Sequence, residues 1–149
     1  MATGLAGHFV AMARNNAWAN HRLLGACEAL TAGAFAAPRT GFFPSLRATL
    51  NHILDVDLYY VTALEGGDAP RRYDEPASAY PDARSLRPVQ AALDKRLIAF
   101  CEGQTEDSLS RDCTLPRPGR KPPQLDEFFL AGEQHLRRDE LRAVGLPEA

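Results

Sequence analysis

Apolar and polar residues alternate along this chain with the period of helices rather than strands. Near residues 4–30, apolar positions fall at Leu5, Phe9, Met12, Ala13, Ala17, Leu23, Leu24, Ala26, Cys27 and Leu30. That spacing repeats over helical turns and predicts one long helix, ended by Thr31, Gly33 and the Pro38 region. A linker from Phe35 to Phe43 follows, its three phenylalanines expected beneath the helices. A second helix is predicted from about Ser45 to Glu65, with a stripe at Leu46, Leu50, Ile53 or Leu54, Leu58 or Asp57, Val61 and Leu64. Ser45 stands where an N-cap belongs, and Gly66-Gly67 supplies the stop.

Residues 66–84 are rich in Gly, Pro, Asp and Arg and read as a surface crossover long enough to span a bundle. A third helix is expected from about Ser85 to Gly103, with Leu86, Val89, Ala92, Leu93, Leu97 and Phe100 on one face and Pro88 in the first turn. Thr105-Glu106-Asp107-Ser108 begins a short turn that aims Leu109 inward. Residues 111–115 alternate as an extended segment would, and a proline-rich loop follows. A fourth helix is expected from about Gln124 to Val144, with Leu125, Phe128, Phe129, Gly132, His135 or Leu136, and Leu141 inward. The expected fold is all-α: a single domain over 1–149, a four-helix bundle with a long crossover connection.

Composition narrows the function. Apolar residues make up 45% of 149, enough for a core, and no apolar run approaches the ~18 residues of a membrane-spanning helix. The net charge of -2 argues against nucleic acid as a partner. The first residues lack the basic start of a secretory signal, so a cytoplasmic location is expected. The three cysteines form no CxxC pair and are expected as buried thiols rather than disulfides or nucleophiles. Trp18, Tyr59 and Tyr60 are either core aromatics or the mouth of a pocket near His52; His8 and His21 are expected as ordinary helix and surface residues.

Two stretches carry more specific information. Asn16-Ala17-Trp18-Ala19-Asn20-His21-Arg22-Leu23 resembles the N-x-W-A-N-x-R-L opening of the DinB/YfiT-like family. Leu50-Asn51-His52-Ile53-Leu54-Asp55-Val56-Asp57 resembles its second-helix L-N-H-L-L-x-x-D motif, and Gly132-Glu133-Gln134-His135-Leu136-Arg137-Arg138-Asp139 looks like a degenerate copy of its last-helix H-x-x-H-H-R-G-Q. The resemblance implies a four-helix bundle, often dimeric, with a divalent metal held by three histidines. Some members transfer low-molecular-weight thiols. His52 matches the second-helix ligand. One alignment sets Gly132 and Leu136 at the last-helix ligand positions; a shift of one residue sets Ala131 and His135 there instead. Arg137 matches the family's arginine, with a second-helix carboxylate such as Asp57 as its expected partner.

Two readings follow from the residues themselves. His135 and Asp139 lie four apart on one helical face, and with His52 across the bundle they form a two-histidine, one-carboxylate set suited to Zn, Ni, Fe or Mn. With such a site, the resemblance implies a metal-dependent enzyme of the thiol S-transferase or hydrolase type, acting on a small thiol or an electrophile. In the other reading, Asp139 is solvated beside Arg138 or Arg142, and the bundle is a non-catalytic small-molecule-binding or dimerisation protein. A homodimer is expected in both.

Overall fold

The computed structural model describes residues 4–67 and 79–113. Among them are three long helices, α1 (Leu5–Cys27), α3 (Leu46–Leu64) and α4 (Ala83–Glu102), and two short ones, α2 (Ala32–Ala36) and α5 (Glu106–Leu109). The described chain is all-α. The helix expected over 124–144, and with it the completeness of a four-helix bundle, lies outside the described residues, as do residues 68–78 of the crossover.

Local chemistry sets the helix ends. Ser45 Oγ accepts the Ala48 amide at 3.1 Å and starts α3. At the other end Gly66 takes φ 77°, and the Gly66 and Gly67 amides bond the carbonyls of Ala63 and Thr62, closing α3 in a Schellman turn. α4 begins two residues earlier than its apolar spacing predicts, because Asp82 Oδ1 accepts the Ser85 amide at 2.8 Å. Pro88 is therefore inside the helix rather than in its first turn, and the Arg84 carbonyl has no amide donor at i+4. Thr105 and Ser108 form a reciprocal capping box on α5. α1 has no cap of its own, since Gly4 precedes it; Glu106 of α5 reaches back and accepts the Ala6 amide at 2.9 Å.

α4 lies between α1 and α3 among the described residues and runs in opposite senses to them. Arg14 meets Glu102, Asn20 meets Asp94 and Glu28 meets Arg87, so α1 is antiparallel to α4. Asn51 meets Tyr80, Asp57 meets Gln90 and Glu65 meets Arg96, so α3 is parallel to it. A parallel pair needs a connection that returns over the length of a helix, about 28 Å for the 19 residues of α3. That is the physical reason for the long segment between them.

Two apolar clusters hold these helices. Leu24, Cys27, Phe35, Leu50, Leu54, Val61, Ala83, Leu86 and Leu93 form one. Phe9, Ala13, Leu64, Cys101, Leu109 and Cys113 form the other, at the end where α1 starts and α4 finishes. The structure resolves the ambiguity in the α3 stripe in favour of Leu54 and Asp57, both buried, over the partly buried Ile53 and Leu58. On α4, Ala92 is exposed, and Gln90 and Asp94 are buried in its place. The expected linker is not all loop: Thr31 Oγ1 caps the Ala34 amide and opens α2, which drives Phe35 fully into the core. Of the three phenylalanines there, Phe43 is half-buried and Phe42 is exposed, against the expectation for that ring.

Candidate functional site

His52 sits in the middle of α3, half-buried. It shares a helical face with Val56, Tyr59 and Ala63, which follow it at helical intervals and are all buried. This face is opposite the one formed by Leu50, Leu54 and Val61, which packs in the core with α1 and α4. The ring of Phe43 lies against the imidazole, centroids 4.6 Å apart and planes tilted by 39°. Phe42 meets Phe43 edge-on at 5.0 Å. The linker between α2 and α3 thus folds back to place an aromatic wall beside His52, and the Arg39 amide bonds the Pro44 carbonyl at 2.9 Å to close that turn.

The neighbour of His52 anchors the helix on its other side. Asn51 is buried, and its carboxamide pairs with the backbone of Tyr80: the Tyr80 amide donates to Oδ1 at 3.0 Å, and Nδ2 donates to the Tyr80 carbonyl at 3.1 Å. Nδ2 also donates to the Arg47 carbonyl at 2.9 Å. The chain entering α4 is thereby tied to the turn of α3 that carries His52.

The other described histidines are at the surface. His8 is exposed beside Phe9, and His21 is exposed against Arg87, whose Nη2 lies 3.2 Å from Nδ1. Trp18 is 59% exposed, with the Arg22 guanidinium 5.1 Å from its ring centroid, so it is not a core aromatic. Tyr59 is buried and meets the half-buried Tyr60 edge-on at 5.4 Å. All three cysteines are free and buried as expected, and burial raises each thiol, Cys101 to about 11, away from nucleophilic use.

Among the described residues no group of three or more His, Cys, Asp or Glu side chains is placed to hold a metal. His135 and Asp139, the expected partners of His52, lie outside the described residues, as do Gly132, Leu136 and Arg137. Asp57 is within them, and it faces α4 rather than the His52 side. Its Oδ2 accepts from Gln90 Nε2 at 2.7 Å.

That contact belongs to a buried polar group that hydrophobic spacing does not reveal. Gln90 Nε2 also reaches Asp94 Oδ1 at 3.3 Å, and the same Asp94 oxygen accepts from Asn20 Nδ2 at 2.9 Å and Asn16 Nδ2 at 3.3 Å. The available signal is two polar pairs at i, i+4, Asn16 with Asn20 and Gln90 with Asp94, each one turn apart on a helix that is otherwise apolar on that side. Burial raises the carboxyl of Asp94, and raises that of Asp57 to about 7, with the negative charge of Asp94 adding to the effect on Asp57.

No helix among the described residues is long and apolar enough to cross a membrane. No curated protein matches the chain. The all-α architecture around His52 agrees with the model of the DinB family, which matches residues 1–130, most of the sequence: the chain belongs to the DinB family.

Proposed function

We propose that this protein is a metal-dependent DinB-family enzyme of the thiol S-transferase or hydrolase type, with His52, His135 and Asp139 as its ligand set. The observation that carries the reading is the position of His52. Of the three described histidines it alone is withdrawn from the surface, and its ring is steadied by Phe43. An imidazole fixed in a half-apolar setting fits a divalent cation, and two nitrogen donors with one carboxylate leave room for further ligands. Zn, Ni, Fe or Mn bound there supplies Lewis acidity that lowers the pKa of a thiol or water. The chain's own contribution is orientation. Phe43 restricts the ring of His52, and the Asn51–Tyr80 pairing holds the turn of α3 on which it stands. The substrate of this reading is a small thiol or an electrophile that reacts with one, and the protein acts as a homodimer in the cytoplasm.

Metal analysis of untagged full-length protein tests this reading. Bound divalent metal at near one per chain, lost in His52→Ala, His135→Ala and Asp139→Ala, supports it. Absence of metal, together with an unchanged melting temperature on adding Zn, Ni or Mn, sinks it. A second reading rests on the sequence: in one of the two registers of the last-helix resemblance, Gly132 and Leu136 stand where the family has metal ligands. In that reading the bundle has lost the metal and serves small-molecule binding or dimerisation. A full-length protein that takes no metal but remains a dimer by light scattering points there.

A further inference from the structure

Three long helices meet at five polar side chains: Asn16 and Asn20 of α1, Asp57 of α3, and Gln90 and Asp94 of α4. Asp57, Gln90 and Asp94 are all buried, between 2% and 7% exposed. The donor count is unequal. Asp94 Oδ1 accepts from three amides, Asn16, Asn20 and Gln90, which suits an ionised carboxylate. Asp57 accepts from one, Gln90. The two hydrogens of Gln90 Nε2 are thus divided between two carboxyl groups, and among the described residues this neutral amide is what links them.

We propose that the Asp57–Gln90–Asp94 bridge is a proton-dependent latch: it holds α3 against α4 while the Asp57 carboxyl carries a proton, and it loosens when that proton leaves to solvent. With Asp57 neutral, the cluster contains one negative charge and enough donors for it. With Asp57 ionised, the Gln90 bond gains charge assistance, but two buried negative charges then face each other with no cation beside Asp57 among the described residues, and that cost outweighs the gain.

Among the described residues no positive charge relieves this; Arg137, the expected partner of Asp57, lies outside them. Among the described residues Asp94 is the ionisable group that acts on Asp57. On α1, Arg14 pairs with Glu102 and Glu28 with Arg87, while His21 also faces Arg87, and Arg22 covers Trp18. On α4, Arg96 pairs with Glu65 at the end of α3. Lys95 and Arg84 are exposed on α4, and α2 carries no ionisable side chain.

The direction of the pH effect follows. The folded carboxyl of Asp57 is raised from 3.8 to about 7, so folding takes up a proton between those values. Its contribution to stability is fully present below about pH 4, falls as the pH climbs towards 7, and levels off above that. Within the window each pH unit lowers the folding equilibrium constant by up to about tenfold for the one proton concerned.

Urea unfolding of the full-length protein at several pH values tests the latch. In the wild type the folding constant should drop by up to about 100-fold between pH 5 and 7 from this proton. Asp57→Asn, a neutral isostere, should remove most of that drop and be the more stable of the two at pH 8. A measurement on the wild type alone covers the case in which the variant does not fold. Carboxyl carbon-13 NMR should show an aspartate titrating near neutrality, and Asp94→Asn, which removes the like charge, should move its midpoint down. An Asp57→Asn profile that parallels the wild type, or spectra in which every aspartate has titrated by about pH 5.5, overturns the proposal.

Discussion

Asn51→Ala is the most direct probe of how α3 is seated beside the start of α4. The substitution removes three hydrogen bonds: one from the Tyr80 amide, one to the Tyr80 carbonyl and one to the Arg47 carbonyl. Each is worth a net ~1 kcal/mol, and a polar group left unsatisfied in a buried setting costs ~1–3 kcal/mol. Arg47 loses little, because its carbonyl keeps the α-helical partner of its position. The Tyr80 amide and carbonyl lose their side-chain partners together, but Tyr80 is only half-buried, so water recovers part of the loss. The expected destabilisation is about 2–4 kcal/mol, or a fall of roughly 5–15 °C in melting temperature for a domain of this size. Asn51→Asp separates hydrogen bonding from volume. It retains an acceptor for the Tyr80 amide but sets a carboxylate against two carbonyl oxygens, so it should be as damaging as alanine at pH 7 and partly recover near pH 4, where a protonated carboxyl can donate. Urea unfolding gives the stabilities, and hydrogen exchange at the Tyr80 amide reports the local contact. A loss below about 1 kcal/mol for Asn51→Ala, with Tyr80 exchange unchanged, would refute the assigned role.

The remaining expectations concern separate parts of the fold. Phe35→Ala empties a fully buried site between α2 and α3 and should cost about 3–5 kcal/mol by urea unfolding; a change under 1 kcal/mol means the core does not depend on α2. Gly4→Ala combines φ 146° with a Cβ that meets the Glu106 carboxylate and displaces it from its cap, and should destabilise by about 1–3 kcal/mol. Because Glu106→Ala removes the same Ala6 contact, the double variant should lose less than the sum of the two singles; strict additivity contradicts a shared cap. Thiol titration with a disulfide reagent should find Cys27, Cys101 and Cys113 slow to react at pH 8 in the native protein and all three reactive in denaturant, whereas one fast native thiol contradicts their burial.

Much of this architecture is written locally. Ser45 and the pair Gly66-Gly67 bound α3 because a hydroxyl that accepts a first-turn amide, and a glycine free to take positive φ, act within four residues of their own position. Helical spacing places Leu50, Val61, Leu86 and Leu93 in the interior because an amphipathic helix has one face to bury, while the choice of Leu54 over Ile53 took the structure. His52 and the DinB resemblance are legible for the same reason: they rest on short motifs, each contained within one predicted helix. A polar cap outranks apolar spacing twice: Asp82 starts α4 ahead of Ser85, and Thr31 opens α2 where spacing reads only a linker.

Tertiary structure decided what depends on several elements meeting. In sequence Gln90 and Asp94 read as ordinary polar residues, Asn16 and Asn20 as parts of a motif, and Asp57 as a stripe alternative and a partner for Arg137, because a side chain's burial is set by the helices that cover it and not by its own neighbours. Only the antiparallel α1 and the parallel α3, lying on either side of α4, bring two carboxyl groups to one amide. The same holds for Glu106, which caps a helix 100 residues away, and for Asn51, whose carboxamide finds the backbone of Tyr80 across the crossover. Spacing along a helix determines which residues share a face. What that face meets, and therefore whether a carboxyl keeps its proton, is determined by the arrangement of the helices in space.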